Sequence, residues 1–236
     1  MRRTPRPWTV LPHVPVRKLE ENLRIVESGL PNGNLKRTMM VARYSDGQLM
    51  LFNAVPLEEP AMVDIEAWGT PAYLYVPNGF HRLDIHAFKR RYPALKLVTP
   101  GPCARRVGEI AAVDMGNDDV PKDKDVELVT LRGTKIAEAT MLVRSNGCVS
   151  LCFGDALMNL VSIPGFDGFL MKLIGSTGGP KVTLLAKLAV VGNKKELAAH
   201  FEELARVPGL ARLIPSHGEL VEAAAAAVLQ RVARKI

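Results

Sequence analysis

The sequence predicts an α/β fold: a four-layer αββα sandwich, two mixed sheets packed face to face with helices outside. Three observations predict it. Asp46-Gly47 and Asn146-Gly147 each sit between apolar runs, the strongest short-range signal for an antiparallel hairpin. Between these hairpins, apolar strand patterns alternate with helical ones, an order that gives parallel pairing and a sheet covered by helices. No low-complexity linker or short-period repeat divides the 236 residues, so 1–236 is expected to be a single domain.

The elements follow in order. Residues 8–11 read as a first edge strand between Pro7 and Pro12, and 17–27 as a short helix or a strand. Residues 30–34 carry turn chemistry. Strands are expected over 38–44 and 48–53, joined by Ser45-Asp46-Gly47. Residues 56–68 form a helix, with Ala61, Met62 and Ile65 at helical spacing and Gly69 as the stop. A strand over 73–76, a loop, a helix over 83–91, a strand over 95–99 and a helix over 103–110 continue the alternation. Residues 113–125 are polar and read as an exposed loop; their five aspartates do not match the ligand spacing of a calcium loop. Strands over 126–131, 139–144 and 149–153 follow. Residues 161–182 are rich in glycine and proline, with an amphipathic stretch over 166–174. A helix over 194–206, a strand over 210–215 and an Ala-rich helix over 219–235 complete the chain.

Composition narrows the function classes. Apolar residues make up 47% and charged residues 23%, ordinary for a globular protein. No apolar run approaches the ~20 residues of a membrane span, and no apolar signal core follows the basic N-terminus. The three cysteines have no CxxC spacing and read as free thiols, so a cytoplasmic location is expected. The net charge is +7, but the positives are dispersed, without a basic stripe interleaved with aromatics. Nucleic acid is therefore not expected as a partner, though an anion- or nucleic-acid-binding role is a weaker alternative.

Residues 74–93 draw the eye. A short apolar strand breaks at Pro77-Asn78-Gly79, and His81, Asp84 and His86 follow before and within a helix. Strand ends that open into helices are where α/β sheets carry chemistry. Two further strand ends deliver ionisable groups: Gly154-Asp155, and Ser216-His217-Gly218. Buried ionisable groups are costly unless paired or metal-bound, so three such ends on one sheet edge suggest a site. The P-loop, GxSxG, HExxH and GxGxxG motifs are absent, and Gly175–Lys181 lacks the ending of a phosphate loop.

In this order the chain resembles the metallo-β-lactamase superfamily, and within it an uncharacterised bacterial branch of unknown function. The resemblance rests on Trp8, on Pro77-Asn78-Gly79-Phe80-His81, on Arg91-Tyr92-Pro93 and on His217-Gly218. It implies an αββα sandwich and a centre of one or two zinc or iron ions that activates water for hydrolysis. Of the ligand positions it implies, Asp155 matches the bridging aspartate and His217 the final histidine. Asn78 and Phe80 stand where the first two histidines belong, Arg82 and Leu83 where the next aspartate and histidine belong, and 133–139 has no histidine. The resemblance thus implies a degenerate metal site without the dinuclear hydrolase activity, no bound metal, and binding of a small molecule or partner. Asn78 and Arg82 would be binding residues, with Arg82 paired to Asp155 in place of the ion. The alternative is a mononuclear hydrolase of an ester, lactone or phosphoester. It would hold zinc, iron or manganese through His81, Asp155 and His217, with Asp84 or His86 assisting.

Overall fold

The structure is a computed structural model that describes residues 6–32, 35–161 and 176–236. The amphipathic stretch over 166–174, Gly175 and part of the 30–34 turn lie outside the described residues.

A six-stranded sheet runs in sequence order: β1 (Arg17–Glu20), β2 (Leu23–Gly29), β3 (Lys36–Arg43), β4 (Gln48–Phe52), β5 (Thr70–Tyr75) and β6 (Lys96–Val98). The first four strands pair antiparallel, and β4-β5-β6 pair in parallel. The crossovers between the parallel strands carry α1 (Glu59–Trp68) and α2 (Ile85–Arg91); α3 (Ala104–Gly108) follows β6. A second sheet has the order β10-β9-β8-β7, from β7 (Val126–Thr130), β8 (Ala139–Ser145), β9 (Cys148–Phe153) and β10 (Leu210–Pro215). Its β10–β9 pair is parallel and the other pairs are antiparallel. Before β10 lie α4 (Leu184–Ala189) and α5 (Lys194–Leu204), and α6 (Ala225–Ala233) follows it.

Strand alternation creates the layers. In β3, Met40 and Ala42 enter the core between the sheets, while Met39 and Val41 face the α1–α2 layer. Met50 and Phe52 against Leu49 and Leu51 repeat this in β4, and Tyr73 and Tyr75 against Leu74 in β5. The second sheet sends Met141, Cys152 and Ile214 inward, and Leu142, Leu151 and Leu213 toward α5 and α6. Strands buried on both faces must be apolar at successive positions, which is why 39–42 and 49–52 read as unbroken runs. Each fully buried Leu, Met or Phe contributes about 1.5–3 kcal/mol. These are the four layers the sequence predicts.

Three local readings need correction, and the choice left open at 17–27 is resolved. Residues 8–11 form no strand: Pro7 and Pro12 withhold backbone donors, and Trp8 is instead held by its side chain. Its indole Nε1 donates to the Leu57 carbonyl at 3.0 Å, and its ring lies 4.8 Å from that of Phe88. Residues 17–27 are the β1–β2 pair rather than a helix. The final helix is shorter than 219–235, because Leu213 and Val221 exchange both backbone hydrogen bonds and the chain first returns beside β10. Finally, α4 was not expected; Thr183 caps it by accepting from Ala186 N at 3.1 Å.

Candidate metal centre

Three strand ends bring the candidate residues together. The loop after β5 supplies Asn78 and His81, the turn after β9 supplies Asp155, and the turn after β10 supplies His217. Thr38 N at the start of β3 donates to the Ser216 carbonyl at 2.9 Å and ties the two sheets together at this edge.

His81, Asp155 and His217 each point one ligand atom at a common spot, all within 4.8 Å of one another. His81 Nε2 lies 3.1 Å and His217 Nε2 3.7 Å from Asp155 Oδ1. Tetrahedral bonds of about 2.0–2.2 Å place ligand atoms roughly 3.3–3.6 Å apart, and the two distances bracket that spacing. Asp155 Oδ1 is buried with no partner apart from the two ring nitrogens it faces, whereas Oδ2 accepts from Asn78 Nδ2 at 2.8 Å.

The surroundings fix the ring tautomers. Asn53, just past β4, donates through Nδ2 to the Thr38 carbonyl at 2.9 Å. Its Oδ1 must therefore face His81, whose Nδ1 donates to it at 2.8 Å. His217 Nδ1 donates to the Lys36 carbonyl at 2.8 Å. With both Nδ1 atoms committed as donors, each neutral ring turns a bare Nε2 toward Asp155. An imidazole oriented through its other nitrogen is the usual state of a histidine ligand.

Electrostatics agree with the geometry. Burial acts to lower the His81 pKa, but the charge and hydrogen bond of Asp155 outweigh it and the pKa rises. Burial lowers that of His217, with Asp155 opposing. Burial also works against the Asp155 carboxylate, yet His81, His217 and Asn78 together hold its pKa well below the ordinary carboxylate range.

Three contributors were not singled out in the sequence. Asn53 orients His81. Glu138, fully buried, accepts from Asp155 N at 3.0 Å and Ala156 N at 2.8 Å and so holds the turn that presents Asp155. Burial and the neighbouring Asp155 charge raise the Glu138 pKa to about 7. It comes from the very segment, 133–139, that lacks the resemblance's histidine. Gly154 permits this packing, since a Cβ there would lie 2.8 Å from both Glu138 Cδ and Pro77 Cβ. The third contributor is Arg37 of β3, a buried cation whose charge acts on both histidines. Residues of this kind are polar side chains at strand margins, and nothing local separates them from surface residues.

The other expected residues lie elsewhere. The Arg82–Asp155 pair does not form: Arg82 Nη1 donates to the Arg106 carbonyl at 2.6 Å and pairs with Glu109 at 2.8 Å. The loop turns the Arg82 side chain toward α3, and the buried cation near the histidines is Arg37. Asp84 is buried at the head of α2 and pairs with Arg37 at 2.5 Å and Arg6 at 3.3 Å. His86 lies on α2, its Nδ1 buried and unpartnered, outside the ligand group. Asn78 does contact the site, and its Oδ1 also accepts from Phe80 N at 2.8 Å to shape the loop.

Asn53 gives a direct test. It has a φ of 57°, which glycine adopts without strain, so Asn53→Gly removes the amide, with its bonds to His81 and to the Thr38 carbonyl, without straining the backbone. Divalent-ion affinity is expected to fall about 10–100-fold, the usual cost of losing such a partner, as read by calorimetric titration.

No protein-family model matches the chain, and no curated protein matches it. Solved structures do. A metallo-β-lactamase from Pontibacter korlensis aligns with a TM-score of 0.61 at 11% identity, over 94% of this chain and 99% of that one. The DIM-1 metallo-β-lactamase exposed to ceftazidime aligns with a TM-score of 0.62 at 13% identity, over 96% and 99%. FIM-1 from Pseudomonas aeruginosa, in its mono-zinc form, aligns with a TM-score of 0.57 at 11% identity, over 94% and 96%. The chain therefore has the metallo-β-lactamase fold. Among the described residues, no helix is long and apolar enough to cross a membrane.

Proposed function

We propose that this protein is a mononuclear metal-dependent hydrolase acting on an ester, lactone or phosphoester. One divalent ion, zinc, iron or manganese, would be held by His81 Nε2, Asp155 Oδ1 and His217 Nε2. The observation that carries the reading is the buried Asp155 Oδ1 facing two tautomer-fixed imidazoles and no other partner. Two nitrogens and one carboxylate oxygen suit such an ion, and three protein ligands leave a position for water or substrate. When bound, the ion supplies a water acidic enough to attack near neutral pH and polarises the scissile carbonyl or phosphoryl group.

The chain's own residues supply the rest. Asn78 and Glu138 hold Asp155 in place. Apolar side chains beside the histidines limit water and strengthen local electrostatics. Relative to the dinuclear pattern that the resemblance implies, five of the seven ligand positions are replaced and only Asp155 and His217 are kept, so the centre would be a degenerate one that keeps a single ion with His81 as an added ligand. FIM-1, a neighbour in fold, has a mono-zinc form.

The close His81–Asp155 contact and the raised His81 pKa favour a second reading. A proton shared by that pair would take the ion's place, leaving a binding protein without catalysis. Protein purified without chelator separates the two. The hydrolase reading expects about one equivalent of metal, and ester hydrolysis that is lost on chelation and restored by added ion. Absence of metal at any loading, with no hydrolysis, overturns it.

A further inference from the structure

Beside the three ligand residues opens a cavity of about 320 Å³. Its walls are mostly apolar, with Leu30, Leu35, Leu83, Met158, Leu160 and Val190 among them. Phe80 and Leu185 line it yet remain 60% and 59% exposed, so they form its rim. The volume accommodates on the order of ten water-sized groups, enough for a short acyl chain or a compact ring.

The charges around this cavity are unbalanced. Among the described residues, its titratable lining consists of His81, Asp155, His217 and Arg37. The Arg37 side chain is only 5% exposed and its Nε is buried without a partner. Its one acidic partner, Asp84, is shared with Arg6, so two guanidinium groups stand against one carboxylate. On the other side a divalent ion would face Asp155 and, behind it, the Glu138 carboxyl, so the excess of positive charge lies on the Arg37 side. An apolar chamber under such a field favours an anion with an apolar body. A buried guanidinium binds carboxylate and phosphate alike, but the positive excess near Arg37 amounts to one charge. A monoanion balances the excess near Arg37, whereas a phosphate dianion would overshoot it.

Resting on the hydrolase reading above, we infer that the substrate is a carboxylate-bearing ester or lactone with a short apolar body. Its anionic end is drawn to Arg37 and its scissile bond to His81, Asp155 and His217. In the reaction a water oxygen bonds to the acyl carbon and the acyl C–O bond breaks. One water proton goes to the departing alcohol, and the new carboxylic acid releases the other to solvent.

A matched pair of substrates tests this. 4-Nitrophenyl hydrogen adipate and 4-nitrophenyl hexanoate have equal acyl length, and only the first carries a carboxylate. Metal-loaded protein is expected to favour the adipate ester at least tenfold in kcat/KM, with the preference falling to near one in Arg37→Met. Because Arg37→Met leaves Asp84 short of a partner, the double variant Arg37→Met/Asp84→Leu serves as a folded control; an apolar replacement of both members of a buried pair is usually tolerated. Hydrolysis of both esters without charge preference, or a preference unchanged by either variant, overturns the inference while the hydrolase reading stands. So does preferential turnover of 4-nitrophenyl phosphate. If no ester is hydrolysed, calorimetric binding of hexanoate against hexanol decides. Arg37-dependent binding of the anion retains the carboxylate site and removes the hydrolase reading; binding of neither ligand overturns the site.

Discussion

Replacing Asp155 with asparagine is expected to abolish divalent-ion binding, with affinity falling more than about 100-fold. Losing an orienting partner costs 10–100-fold, and losing a ligand costs more. The hydrogen bonding makes the outcome sharper. Asn78 Nδ2 donates to one oxygen of Asp155, so the new amide must keep its oxygen there. Its NH₂ then points at His81 and His217, where a cation would sit, and donates to their Nε2 atoms. At an ion concentration a hundredfold above Kd, the wild-type chain gains about 2.7 kcal/mol, a rise in Tm of about 5–10 °C for a protein of this size. The variant gains none. Thermal unfolding of stripped protein with added zinc or manganese reads this, and a wild-type shift in Asp155→Asn would remove the proposed centre. In the wild type the same shift is expected to shrink as pH falls. The His81 pKa is raised, so protons compete for Nε2 from a higher pH than at an ordinary histidine.

The second large effect concerns Gly218, the residue after His217. Its φ is +99°, and a Cβ there would lie 2.0 Å from the Asn159 carbonyl oxygen. That oxygen belongs to a backbone bridge in which Asn159 N donates to His217 O and Glu219 N donates to Asn159 O. The obstacle is therefore main chain, which cannot swing aside as a side-chain tip would. Gly218→Ala combines left-handed strain of about 1–3 kcal/mol with loss of this bridge, and about 3–4 kcal/mol of destabilisation is expected in urea unfolding. Because the bridge seats His217, the residual folded protein is also expected to bind metal more weakly. A variant within 1 kcal/mol of wild type would show that the turn opens at little cost.

Much of the architecture was legible in the sequence because it rests on local patterns. The Asp46-Gly47 and Asn146-Gly147 hairpins lie where their turns require. The apolar runs at β3 and β4 are strands buried on both faces, and the crossovers on α1 and α2 follow from their order. The misplacements occur where tertiary contact overrides pattern. Trp8 is held by the Leu57 carbonyl and by Phe88 rather than by a strand partner. Val221 pairs with Leu213 of β10, and Glu219 N with the Asn159 carbonyl, in place of the helix their composition favours.

The candidate centre divides in the same way. By itself the sequence determined that three strand ends carry His81, Asp155 and His217, since apolar strands that end in ionisable residues can be counted along the chain. Only the tertiary structure decided that their ligand atoms meet within 4.8 Å. It alone decided that Arg82 turns toward Glu109 while Arg37 supplies the buried cation, and that Asn53 and Glu138 hold the site. The physical reason is distance in the chain. Asn53 and His81 are 28 positions apart, Glu138 and Asp155 17, and His217 and Lys36 181. A hydrogen bond between such partners depends on how two sheets are stacked and in which register, and no local spacing encodes that.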